Sequence, residues 1–112
     1  MKREDLSGED LLQITEDLAQ ASADFLVIDL EVIATLIDIS RHRLSRNQRE
    51  SAARSIESAK QGIESVRRIV SGSYLLNDKL EASISERCNE LERSATELSD
   101  RLTRAWLRDS YR

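Results

Sequence analysis

A chain of 112 residues with 34% charged and 39% hydrophobic residues has room for one domain, residues 1–112, and one core. It is too apolar for a disordered chain and, at a net charge of −4 with 34% charged residues, too charged for a membrane protein. Proline is absent and glycine occurs three times, so almost nothing interrupts a helix and the predicted fold class is all-α.

The first predicted helix covers 8–45, with residues 1–6 frayed. Ser7 followed by Asp10 is a capping box in which Asp replaces the usual Glu or Gln, and Glu9 and Asp10 fall in the first turn, where the helix dipole favours acids. At 100° per residue, Leu11, Leu12, Ile14, Leu18, Phe25, Leu26, Ile28, Leu30, Val32, Ile33, Leu36, Ile37, Ile39 and Leu44 fall on one broad arc. The phase holds from Leu11 to Leu44, which favours a single long helix. The alternative is a break near 21–24, where Ser22 or Asp24 caps a new start, giving a compact monomeric four-helix bundle.

The second helix is expected over 48–71, started by Ser45 with Gln48 or Asn47 with Glu50 as capping boxes. Its seam of Ala52, Ile56, Ala59, Ile63, Val66 and Val70 is a regular heptad, and Gly72 supplies the stop. The third helix is expected over 74–109, starting at Ser73 or Asn77. Its stripe is Leu80, Ile84, Cys88, Leu91, Ala95, Leu98, Leu102 and Ala105, with Trp106 beside it. Tight turns make successive helices antiparallel neighbours in a bundle of three long helices.

The three lengths differ, at roughly 55, 35 and 50 Å. The first helix should overhang at Leu11, Leu12, Ile14 and Leu18, and the third at Leu98, Leu102, Trp106 and Leu107. Exposed apolar surface is costly, so the expected remedy is a second copy that completes the bundle as a coiled-coil homodimer. The residues expected at that interface are Leu11, Leu18, Leu26, Leu30, Ile33, Ile37, Leu102 and Trp106.

Other features carry further readings. Ser51, Ser55, Ser58, Gly62 and Ser65 form a small-residue stripe on the second helix. Ser55, Ser58, Gly62 and Ser65 would line a groove for a partner helix, or pack closely inside the bundle. Charge is segregated, with a net of −8 over 1–40 and +5 over 41–72. Arg41, Arg43, Arg46 and Arg49, with Arg54, surround the first turn and form a candidate anion or nucleic-acid patch. The acidic pI of about 5.1 disfavours nucleic acid. Asp29 falls inside the apolar arc and is expected to meet Arg67, Arg68 or Arg87.

His42 is the only histidine. The segment Ser40-Arg-His-Arg-Leu-Ser-Arg46 resembles the His-x-Leu-Lys-Gly core of histidine phosphotransfer domains at His42 and Leu44. Ser45 stands where that family has Lys, and Arg46 where it has Gly. The resemblance implies a degenerate phosphotransfer domain using His42.

No cofactor or metal is expected, since zinc and di-iron sites need more Cys and His than one of each. The three glycines, Gly8, Gly62 and Gly72, are too dispersed for a phosphate-cradling loop. One cysteine forms no intrachain disulfide, and the first residues lack a signal peptide's apolar stretch, so the expected setting is cytoplasmic, of a bacterial type. The functional expectation is a non-catalytic adaptor, chaperone or assembly subunit that works by packing helix faces on itself or a partner.

Overall fold

The chain folds as three helices in a computed structural model that describes residues 8–73 and 76–110. Helix α1 runs Gly8–Ser45, α2 Arg49–Gly72 and α3 Asp78–Ser110. The fraying expected of 1–6, the capping role of Ser7 and the start at 74 lie outside the described residues. No described helix is long and apolar enough to cross a membrane.

α1 is continuous. The break considered near 21–24 does not occur: the helix runs through it with Ala23 buried, and Gln20 Nε2 donates to Asp24 Oδ1 at 2.8 Å across the same turn. That segment offers no proline or glycine, and Asp24, one of its two possible caps, accepts from Gln20 along the helix surface instead.

The turn between α1 and α2 corrects the sequence reading. Asn47 adopts φ 62°, and Gln48 N–H donates to the Arg43 carbonyl at 2.8 Å while Asn47 N–H donates to that of Leu44 at 3.1 Å. This is a Schellman ending, with Asn in the left-handed position it tolerates better than most residues. Neither expected capping box forms: Ser45 Oγ donates back to the His42 carbonyl, and Gln48 precedes α2 without a side-chain cap. Gly72 is the last residue of α2 and has no positive φ, so its conformational freedom is not what stops the helix. α3 is capped by Asn77, whose Oδ1 accepts from Leu80 N–H at 2.8 Å.

One core fills the bundle, drawn from Leu26, Leu30, Ile33 and Ile37 of α1, the predicted heptad of α2, and Ile84 to Leu102 of α3. Cross-helix contacts fix the register. Ser40 Oγ donates to Ser55 Oγ at 2.6 Å, and Arg43 Nη1 donates to the Ser51 carbonyl at 3.3 Å. Between α2 and α3, Lys60 meets Ser99, Arg67 meets Glu92, and Arg49 meets Asp109. Extending the α1–α2 register places Gly72 beside residues 22–23 of α1, so the first turns of α1 project past the bundle. Gly8 to Leu18 are all exposed, and the molecule measures 82 × 24 × 16 Å.

The overhang expected at the end of α3 is shorter than predicted. Leu98 and Leu102 are buried, and exposure begins only at Trp106 and Leu107. The last turns of α3 lie beside the start of α2 and the end of α1, which cover those leucines.

Candidate helix-docking face

Burial divides the broad apolar arc of α1 into two separate seams. The inward seam is Ala19, Ala23, Leu26, Leu30, Ile33, Ile37 and Ser40, all buried. The outward seam is Leu11, Ile14, Leu18, Ala21, Phe25, Ile28, Val32, Thr35, Ile39 and His42, all exposed. The outward residues alternate in steps of three and four over about 46 Å, which is the spacing of a coiled-coil seam. The two seams face roughly 150° apart at 100° per residue.

The exposure is substantial where packing should be densest: Phe25 is 61%, Ile28 58% and Val32 56% exposed. Single exposed apolar residues are ordinary, whereas a continuous row of them is not. Thr35 donates its hydroxyl to the Glu31 carbonyl at 3.0 Å, so its polar group is satisfied within α1 and its methyl remains for packing.

The flanks of the seam differ. On one side stand Asp10, Asp17, Asp24, Glu31 and Asp38, an acid every seven residues. Asp17 and Asp24 accept hydrogen bonds from the neutral amides of Gln13 and Gln20, which leave their charge intact, while Asp38 pairs with Arg41 at 2.9 Å. On the other side lie Thr15, Ser22, Asp29, Leu36 and Arg43, and beyond them α2. There Leu18, Phe25 and the exposed Ile69 line a shallow groove of about 330 Å³.

The structure redistributes the residues singled out in the sequence. Of the expected interface, Leu26, Leu30, Ile33, Ile37 and Leu102 are buried against the chain's own helices, whereas Leu11, Leu18 and Trp106 remain exposed. The expected partner groove on α2 is divided, with α1 packed against Ser55 and Gly62 only. A Cβ on Gly62 would sit 2.8 Å from Ile33 Cγ1, and Ser55 is buried against Ser40, while Ser58 and Ser65 are exposed. Close approach of α1 is therefore what Ser55 and Gly62 serve.

The arginines of the turn do not form one patch. Arg41 is held by Asp38, Arg43 by the Ser51 carbonyl and Arg49 by Asp109, leaving Arg46 exposed at the turn. His42 is exposed in the last turn of α1, at the end of the outward seam. Asp29 is half-buried on the α2 side of α1 and makes no ion pair among the described residues; Arg67 and Arg87 pair instead with Glu92 and Glu90.

The outward seam went unread in the sequence because its residues and the inward ones merge into one arc of apolar positions. The heptad spacing of Leu11, Leu18, Phe25, Val32 and Ile39 was the available signal. Compared with known proteins, the chain matches no family model, no curated protein and no solved structure.

Proposed function

We propose that this protein is a helix-docking protein, whose outward α1 seam receives a basic amphipathic helix from another protein. The carrying observation is the second heptad row of α1, exposed along its whole length and edged by an acid in every heptad. An apolar stripe on the incoming helix would fill the seam, and Lys or Arg along one edge would face the acidic rail.

Charge favours such a partner over a second copy. An antiparallel pairing of two α1 helices sets the acidic rail against itself; a parallel pairing sets Asp24 opposite Asp29 of the second copy and gains only Asp38 opposite Arg43, two residues already engaged by Arg41 and the Ser51 carbonyl. Like charges weaken the antiparallel arrangement along its whole length, and the parallel one lacks the basic edge that would match the rail.

The test uses two designed heptad peptides with the same apolar stripe, one flanked by Lys and the other by Glu. The Lys-flanked peptide should bind with an affinity that falls as salt rises, and the Glu-flanked peptide should not bind. Ile28→Asp and Val32→Asp should each abolish binding while circular dichroism shows the helices intact. Sedimentation equilibrium of the protein alone supplies the competing outcome: a dimer dissociated by Ile28→Asp would make a second copy the occupant. Equal binding of both peptides, or binding unaffected by Ile28→Asp, would overturn the proposal.

A further inference from the structure

The arginines that gather in this molecule do so away from the first turn. Where α1 stops, α2 starts and α3 ends, a cleft of about 330 Å³ is lined by Arg49, Arg101, Arg104 and Arg108, with Leu44 and Ala105 as apolar wall. Arg101, Arg104 and Arg108 are three and four residues apart and share one face of α3. The antiparallel register brings that face to the first residue of α2. No carboxylate lines the cleft, and Asp109 reaches only Arg49, from outside the lining.

Two observations set this cluster apart from a solvated helix end. Although Asp109 holds the Nη1 end of Arg49, its Nε is buried without a hydrogen-bond partner among the described residues, an arrangement that a bound acceptor would complete. A helix C-terminus favours cations in its last turn, which accounts for Arg108; Arg101 and Arg104 lie further back, where that effect has faded. Four arginines lining one concave surface repel one another, and a compact anion would lessen that repulsion.

We propose that the cleft binds a small, multiply charged phosphate, such as pyrophosphate or the polyphosphate tail of a nucleotide. The planar fork of arginine matches phosphate oxygens in pairs, and the cleft's volume lies in the range of small-molecule sites. A nucleic-acid backbone fits less well, because it needs a basic track to follow its evenly spaced charges. Here the track is cut short: Arg41 and Arg43 are engaged elsewhere, and Glu97 and Asp100 are exposed on α3 just before Arg101.

Titration calorimetry of the full chain with pyrophosphate tests the assignment. One site per chain is expected, with an affinity that falls as salt rises. The exposed pair Arg101→Gln with Arg104→Gln should weaken it at least about tenfold, with helix content unchanged. Arg68→Gln, about 28 Å further along α2, should leave binding unchanged. Arg49→Lys keeps the charge but lacks the fork, and should weaken binding severalfold. No heat with millimolar pyrophosphate at low salt would overturn the proposal, as would an equal loss in Arg68→Gln. A single-stranded oligonucleotide that binds more tightly per charge than pyrophosphate would assign the cluster to nucleic acid instead.

Discussion

Gly62 shows how one missing Cβ sets the distance between two helices. Glycine inside a helix costs about 1 kcal/mol relative to alanine, so propensity alone would make Gly62→Ala stabilising. The added carbon would lie 2.8 Å from Ile33 Cγ1, and Ile33 is β-branched and buried, with little freedom to turn aside. Overpacking of this kind costs typically ~1–3 kcal/mol. Gly62→Ala should therefore be net destabilising in urea denaturation, and Ile33→Ala, which removes Cγ1, should cost less in the Gly62→Ala chain than in the wild type. Cys88 makes a different prediction. Burial pushes its thiol above the ordinary value, with the nearby Arg67 guanidinium opposing that shift. The folded state thus holds the thiol proton more tightly than the unfolded state does. Its contribution is full below the unfolded thiol's pKa and is lost as pH rises through the folded value. Between about pH 8 and pH 10 the wild type should lose stability relative to Cys88→Ala, and a thiol reagent should label Cys88 only as fast as the chain opens.

At the scale of the helix, α1 carries two apolar rows that differ in consequence. Leu26 is buried in the core, and Leu26→Ala should cost about 2–5 kcal/mol in chemical denaturation. Ile28, two residues on and 58% exposed, should change the stability of the free chain by less than about 0.5 kcal/mol when replaced by alanine. Comparable losses at both positions would mean that the outward row is already covered. Much of this organisation was legible in the sequence. The seams of α2 and α3 were read almost residue for residue, because each of those helices packs on one side only and its heptad stands against a polar background. The unbroken phase from Leu11 to Leu44 also gave the length of α1. Which of its apolar residues faced inward was not legible, since periodicity fixes relative angles and leaves the choice of neighbour to the other helices. The same limit hid the arginine cleft: Arg101, Arg104 and Arg108 are far in sequence from Arg49, and only the antiparallel register joins them. The turn was misread for a local reason, since Asn47 serves equally as an N-cap or in the left-handed position that ends a helix.

Across the whole molecule, protection should follow the register. The segment from Gly8 to Leu18 has its backbone hydrogen bonds but no neighbouring helix, and short helices without tertiary contacts are marginal in water. Hydrogen exchange should be fast there, slow from Leu26 to Leu44, and slowest where α1, α2 and α3 enclose Ile56, Ala59 and Ala95. Uniform protection along α1 would show that its projecting turns are held by another chain.

The two rows on α1 also bear on how freely its sequence can drift. Along α2 and α3 a single face answers to the core, and apart from the arginine cleft most other positions can vary without penalty to the fold. Along α1, a change on the inward face disturbs the fold, and a change on the outward face would disturb the proposed docking. A saturating mutational scan selected for folding alone should find the outward row permissive. Selection for partner binding should turn α1 into the least tolerant segment of the chain, and the difference between the two maps would trace the footprint of the partner.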